Sequence, residues 1–146
     1  MKLAFGCDPN AFRMKEALIE EAEKLGHEVV DYPSDDPIYA NVAMAVATDV
    51  AAGKADRGIL VCGTGIGVSI AANKVKGAYC ACVADVYQAQ RASLSNNANI
   101  LAMGEQVVGI ETAKVYLREY LSGTFDPEGR SGPKVGRITE YENTGC

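Results

Sequence analysis

The stretch "ILVCGTGIGVSIAANK", residues 59–74, joins an apolar run to a cluster of glycines and then to a helix-like segment. A short apolar run closed by turn residues is typical of a buried strand. The residues that follow, "GVSIAANKV", indicate a helix. A strand that passes through a glycine-rich turn into a helix is one βα unit of an α/β protein.

The same alternation extends through the chain. Apolar runs predict strands at residues 2–6, 28–32, 57–62, 78–85 and 98–104, and segments of helical spacing separate them. We therefore expect a single three-layer α/β/α domain over residues 1–146, with a five-stranded parallel, Rossmann-like sheet. The polar tail from about residue 124 is predicted to contain a short helix at residues 134–141.

Composition excludes several classes of function. The net charge of -5 disfavours a general nucleic-acid binder, which needs a basic surface. No apolar run is long enough to span a membrane, and "MKLAFGCDPN" reaches Gly and Asp too soon for a signal peptide, so we expect a cytoplasmic protein. The five cysteines lack paired CxxC spacing and are predicted to be free thiols. The single histidine, His27, is predicted to lie on the surface, so a catalytic triad or HExxH site is not expected.

In parallel sheets, ligands bind beyond the carboxyl ends of the strands. These ends are predicted at residues 7–8, 62–63, 84–85 and 103–104, so the glycine turn is expected to line a site. Its N–H groups can face an anion, or the turn can be a plain tight connection. A dinucleotide fingerprint fits poorly, because position 68 is valine and the turn follows the third strand.

Several residues near these ends have both a chemical and a structural interpretation. Cys62, before a helix N-terminus, can be a nucleophile or base, or a small buried residue. Asp8 and Asp85 can be site carboxylates or helix caps. Core packing is the expectation for Cys80 and Cys82. Two further groups can bind ligand or be structural: the turn asparagines Asn96, Asn97 and Asn99, and the tail cations Arg130, Lys134 and Arg137.

Four segments together resemble one known family. They are "GCD" after the first strand, "ADRGILVCGTGIGVSIAANKV", "NANILAMGEQVVG", and a tail "GR" followed by a basic residue four positions on. They are similar to the ribose-5-phosphate isomerase B family, which includes the subunits of galactose-6-phosphate isomerase. The resemblance implies an aldose–ketose isomerase without cofactor or metal. It also implies a homodimer, or a tetramer of such dimers. Each active site would use residues of both subunits, and the tail of each subunit would contact its partner.

The resemblance also implies roles for individual residues. Cys62 would be the base that moves a proton between C1 and C2 of the sugar. The enediolate oxygens would be held by the glycine loop and Ser69, the loop glycines being Gly63, Gly65 and Gly67. Further substrate contacts are implied for Thr64, Asp8, Tyr39 and Asn96, and, from the partner's tail, for Arg130, with Lys134 at the second basic position.

Three departures from the family pattern bear on the substrate. Pro9 stands where the family commonly has histidine, Ser95 replaces the histidine that opens the sugar ring, and Lys134 replaces an arginine. A serine is a poor general acid. One hypothesis is therefore a substrate that cannot close a furanose ring, such as erythrose 4-phosphate with erythrulose 4-phosphate.

Other hypotheses remain open from the sequence. The substrate can be ribose 5-phosphate or another sugar phosphate whose ring is opened by water or by a partner residue. A second, paralogous subunit can complete the site. A phosphosugar-binding protein without activity and a nucleotide-binding protein are the alternatives from other functional classes.

Overall fold

The computed structural model describes residues 1–146 and confirms the predicted α/β class. Its strands are β1 (Lys2–Cys7), β2 (Glu28–Asp31), β3 (Arg57–Cys62), β4 (Cys80–Cys82) and β5 (Ile100–Gly104). Its helices are α1 (Phe12–Lys24), α2 (Tyr39–Ala51), α3 (Ile66–Ala72), α4 (Val86–Leu94), α5 (Ile110–Ser122) and α6 (Gly132–Thr144), and a 3₁₀ turn covers Pro9–Ala11. None of the helices combines the length and hydropathy that a bilayer-spanning segment needs.

The five strands form one parallel sheet in the order β2-β1-β3-β5-β4. The order changes direction between β1 and β3, which are direct neighbours with Cys7 opposite Val61. In sheets of this kind a crevice opens outside the carboxyl ends of the two strands at the change of direction. Residues that follow β1 and β3 therefore border the natural ligand crevice.

Apolar side chains cover both faces of the sheet. On one face α1, α4 and α5 pack around a cluster that includes Phe5, Leu18 and Tyr120. On the other face α2 and α3 pack around Val46, Leu60 and Val68. The buried strands β1, β3 and β5 lie between these two clusters, as expected for near-continuous apolar runs.

Two details of the edge strand β4 differ from the sequence-based expectation. The strand has three residues, not the eight of the predicted run, and it pairs with β5 alone. The expectation that Cys82 packs in the core is wrong: its side chain is exposed, because no strand covers the outer edge of β4. Cys80 is partly buried against the α2–α3 cluster.

The tail contains a longer helix than predicted. α6 begins at Gly132, with Pro133 in its first turn, and ends before Gly145, which has φ +74°. Proline at the start and glycine after the end are the residues that favour these two positions. Glu142 joins α6 to the body of the domain by accepting hydrogen bonds from Gly77 N (3.0 Å) and Tyr79 Oη (2.8 Å).

Candidate active site

The glycine loop wraps around the sulfur of Cys62. Cys62 ends β3 and is 6% exposed, and its Sγ accepts a hydrogen bond from Gly65 N at 3.1 Å. Gly65 has φ +79°, and a Cβ on it would lie 2.8 Å from the backbone carbonyl carbon of Met103. Only glycine combines a positive φ with the absence of a Cβ, so only glycine at this position keeps the N–H donor directed at the sulfur.

The loop also packs against the carboxyl end of β5. Glu105 N donates to Cys62 O (2.9 Å) and Gln106 N donates to Gly63 O (3.0 Å). The hydroxyl of Thr64 accepts from Ile66 N at 3.3 Å, and the Thr64 side chain is otherwise open to solvent. These contacts hold the loop in one conformation over the end of the sheet.

Gln106 also lies beside the glycine loop, and it was not among the predicted site residues. Its side-chain amide lies 3.4–3.5 Å from the position of a Cβ on Gly63, and it makes no hydrogen bond within the chain. The rule that ligands bind beyond strand ends gives the signal that could have found it, because Gln106 follows β5 by two residues.

Tyr39 lies beside the loop, where the resemblance puts it. It is the first residue of α2, and a Cβ on Gly67 would lie 2.5 Å from its phenol oxygen. Gly67 thus leaves room for the aromatic ring. Ser69 is 7% exposed, and its hydroxyl lies 3.5 Å from both Cys80 O and Asn73 Nδ2. That hydroxyl faces β4, and a contact with the enediolate stays a prediction.

The segment before Tyr39 is tethered by a buried lysine. Lys15 on α1 is 1% exposed, and its Nζ donates to Asp31 Oδ1 (2.5 Å), Tyr32 O (3.1 Å) and Ser34 Oγ (2.6 Å). A buried ammonium is stable only when such partners surround it. Lys15 therefore fixes the start of the loop that leads from β2 to Tyr39.

Asp8 follows β1 and borders the same crevice. Its backbone N–H donates to Val61 O (2.9 Å), and its Oδ1 accepts from Asn10 N (2.9 Å). Asp85 accepts from Gln88 N (2.7 Å) at the start of α4. Both residues thus cap the turn that follows them, and a role of either in the site stays a prediction. The second carboxylate oxygen of Asp8 makes no hydrogen bond within the chain.

A second group of predicted site residues lies elsewhere, around the end of α4. Ser95 Oγ accepts from Arg91 Nε (2.7 Å), and Asn96 Nδ2 donates to Arg91 O (3.0 Å). Arg130 and Ser95 line one cleft of about 350 Å³. Lys134 is exposed in the first turn of α6 and does not line this cleft.

The chain does not bring its two groups of residues together. Cys62 and its loop lie at the carboxyl edge of the sheet. Ser95 and Asn96 lie between α4 and the start of β5, which is the amino edge. In a βαβ unit the helix returns antiparallel to the strands, so the length of α4 separates the two groups.

Burial raises the pKa of three cysteines other than Cys62. It raises the pKa of Cys7 and raises that of Cys80 to about 12. Cys82 is exposed as a residue, but its sulfur lies 3.8 Å from Thr64 O, and this partial burial raises its pKa; a charge on the nearby Cys62 would raise it further. These three groups are therefore neutral thiols at physiological pH. No three His, Cys, Asp or Glu side chains converge as ligands for a metal ion.

The single histidine lies away from the site. The ring of His27 is 3.3 Å from the amino group of Met1, at the opposite edge of the sheet from Cys62. Its pKa is lowered by partial burial and then by the Met1 ammonium. This position agrees with the sequence-based expectation.

The sequence matches the family model described as Ribose/Galactose Isomerase over residues 3–138. The chain belongs to the ribose/galactose isomerase family. The D-erythrulose-4-phosphate isomerase 2 of Mycolicibacterium smegmatis is 46% identical, over 97% of each chain. The ribose-5-phosphate isomerase B of Escherichia coli is 40% identical, over 97% of this chain and 96% of the relative.

Solved structures support the same membership. The ribose-5-phosphate isomerase B of Clostridium thermocellum superposes with a TM-score of 0.92 and 37% sequence identity over 100% of both chains. The family resemblance inferred from the four sequence segments is confirmed. The ribose/galactose isomerase fold therefore extends over the whole chain, including the tail.

Proposed function

We propose that this protein interconverts a tetrose 4-phosphate aldose and its ketose, with Cys62 as the base. Membership of the ribose/galactose isomerase family makes the chain an aldose–ketose isomerase of sugar phosphates. The observation that carries the assignment of the base is the contact between Gly65 N and Cys62 Sγ at the mouth of the crevice. A donor directed at the sulfur stabilises a negative charge there, which a proton-abstracting thiolate needs.

The reaction needs one base and a set of fixed donors. The Cys62 thiolate removes the proton from C2 of the aldose, and the electrons of that bond form the enediolate while negative charge moves to O1. The same sulfur then returns the proton to C1, which gives the ketose. Backbone N–H groups of the glycine loop stabilise the charged oxygen without rearrangement.

Thr64 completes the proton transfers in this proposal. Because its Oγ1 accepts a hydrogen bond from Ile66 N, the hydroxyl proton is free to point towards the substrate. It can then donate to O1 as charge develops and recover a proton from O2. Asp8, with one free carboxylate oxygen, and Tyr39 would bind the sugar hydroxyls.

The choice of a tetrose rests on Ser95. Its hydroxyl is already bonded to Arg91 Nε, and a serine of ordinary acidity does not protonate a ring oxygen efficiently. In a tetrose 4-phosphate the O4 atom carries the phosphate and cannot close a furanose ring. Higher identity to the M. smegmatis erythrulose-4-phosphate isomerase than to the E. coli ribose-5-phosphate isomerase supports this choice.

We further propose that two copies of the chain share each site. The glycine loop of one subunit would meet Asn96, Arg130 and Lys134 of the other, since one chain keeps the two groups apart. Exposed apolar side chains on α3 and α6 offer a contact surface, and they are Ile66, Ile70, Ile138 and Tyr141. Residues 1–146 would then be one domain whose tail, from about residue 124, contacts the partner. The five free thiols suit the cytoplasm.

A turnover panel of erythrose 4-phosphate, ribose 5-phosphate and galactose 6-phosphate tests the assignment. We expect turnover of the tetrose, with solvent deuterium incorporated at C1 or C2. Cys62→Ala should lower kcat by roughly 100- to 10,000-fold, the usual range for loss of a general base. Cys146→Ala, at an exposed thiol in the tail, is the matched control and should keep wild-type activity.

The outcomes separate the parts of the proposal. Fast turnover of ribose 5-phosphate without turnover of the tetrose would contradict the substrate. Activity of Cys62→Ala within tenfold of wild type would contradict the base. Binding of all three sugar phosphates without deuterium incorporation would contradict catalysis itself.

A further inference from the structure

The outer face of α4 carries a cationic cleft that the proposed chemistry only partly uses. Tyr87, Arg91 and Ser95 follow each other at intervals of four residues and share this face. Arg130 and Ser131, from the turn before α6, form the opposite wall of the cleft of about 350 Å³. Two arginines from distant parts of the sequence thus face one cleft.

Arg91 is held in place on two sides. Its Nε donates to Ser95 Oγ at 2.7 Å, and its guanidinium lies 5.9 Å from the centroid of the Tyr87 ring. Its two terminal nitrogens make no hydrogen bond and no ion pair within the chain. An arginine oriented through Nε and an aromatic ring presents its terminal N–H groups as a preformed fork for an anion.

Arg130 is likewise free of partners within the chain. The carboxylate in the cleft, that of Asp126, accepts a hydrogen bond from Glu128 N (3.0 Å) and forms an ion pair with neither arginine. Two guanidinium charges against one carboxylate leave the cleft with net positive charge. The cleft is therefore suited to a compact dianion.

We infer that Arg91 and Arg130 together bind the phosphate of the substrate, and that Ser95 is the positioning residue that orients Arg91. This inference rests on the proposed function, and it gives Ser95 a role other than ring opening. A phosphate offers three oxygens, enough for a fork from each arginine. Lys134, outside the cleft, is then not required as the second cation of the site.

Variants of Arg91 test its proposed role in phosphate binding. We expect Arg91→Gln to lower kcat/KM for erythrose 4-phosphate by roughly 10- to 100-fold, the effect of one charge-assisted hydrogen-bonding group. The inhibition constant of inorganic phosphate should rise by a similar factor. Arg91→Lys should recover part of the loss. Urea unfolding like that of wild type distinguishes loss of phosphate binding from a general structural defect.

Ser95→Ala tests the positioning role separately. Loss of the hydrogen bond that orients the Arg91 guanidinium should weaken phosphate inhibition by roughly 3- to 10-fold. Arg118→Gln, at a partly exposed arginine paired with Glu21, is the control for loss of one positive charge. It should bind phosphate like wild type.

Calorimetric titration of inorganic phosphate into Cys62→Ala separates this inference from the proposed function, because it needs no turnover. Phosphate binding that is lost in the double variant with Arg91→Gln supports the site even if no sugar phosphate is isomerised. If Arg91→Gln binds phosphate as tightly as Arg118→Gln, the inference is wrong, whatever the enzyme activity. Circular dichroism confirms that each variant is folded, and Ser95→Ala provides the second test if Arg91→Gln is not.

Discussion

At the scale of single residues, the backbone at Gly65 controls the environment of the Cys62 sulfur. Gly65 has φ +79°, and a Cβ there would lie 2.8 Å from a backbone atom of Met103. Gly53 has φ +73°, but nothing lies within 4 Å of a Cβ at that position. The two glycines therefore share the left-handed conformation and differ only in the space around them.

We expect Gly53→Ala to cost about 1 kcal/mol of unfolding free energy, the cost of an alanine in the left-handed region. Gly65→Ala should cost about 2–4 kcal/mol, because the backbone must also move away from Met103. Its turnover should fall by at least roughly 100-fold, since the N–H donor leaves the sulfur. Urea denaturation and a rate assay measure both effects. Equal losses of stability in the two variants would contradict the steric argument.

Residues with a local signal were predictable, and residues defined by distant contacts were not. Cys62 and its glycines stand together in the sequence. Asp8 was predicted because ligands bind beyond the carboxyl ends of parallel strands, and Tyr39 because of the family resemblance. Arg91 gave no such signal, because its proposed role depends on Ser95 on the next turn of α4 and on a tail almost 40 positions away. Exposed Cys82 was mispredicted because sequence patterns do not tell an edge strand from a central one.

At the scale of elements, α6 is joined to the domain by a titratable group. Glu142 accepts hydrogen bonds from Gly77 N and Tyr79 Oη, and these bonds hold the pKa of its carboxyl below the ordinary value of 4.5. A carboxyl whose pKa is lowered in the folded state stabilises that state above its ordinary pKa. The stabilisation is lost as the pH falls through the lowered value.

We therefore expect the attachment of α6 to weaken as the pH falls from about 5 to 3. Glu142→Gln should lose about 1 kcal/mol at pH 7 in this largely exposed position, because Gly77 N and Tyr79 Oη bond to different carboxylate oxygens and the amide keeps only one acceptor oxygen. Its stability should then change less with pH over the same range. Glu140→Gln, which removes only an exposed ion pair with Arg137, is the control. Urea unfolding at several pH values, with proteolysis of the tail, measures the difference. A pH profile identical to wild type in Glu142→Gln would contradict this account.

At the scale of the whole molecule, the sequence predicted the three-layer α/β/α architecture better than the relative positions of the site residues. Five apolar runs with helices between them were sufficient to predict a five-stranded parallel sheet. Strands and helices each show a characteristic spacing of apolar residues in the local sequence. The strand order, and with it the position of the crevice between β1 and β3, depends on contacts that no local pattern records. The separation of Cys62 from Ser95 became apparent only from the three-dimensional arrangement, whereas the family resemblance already implied that Arg130 comes from the partner.

That separation predicts complementation between two inactive variants. If each site takes the glycine loop from one subunit and Arg130 from the other, Cys62→Ala and Arg130→Ala homodimers are both impaired. Unfolding the two together and refolding them as a mixture gives half heterodimers, and each of these has one intact site. We expect recovery of about a quarter of the wild-type activity. A mixture of Cys62→Ala with Gly65→Ala, whose defects lie in the same loop, should recover none. Equal activities in the two mixtures would mean that one chain forms its site alone, and the shared site would have to be abandoned.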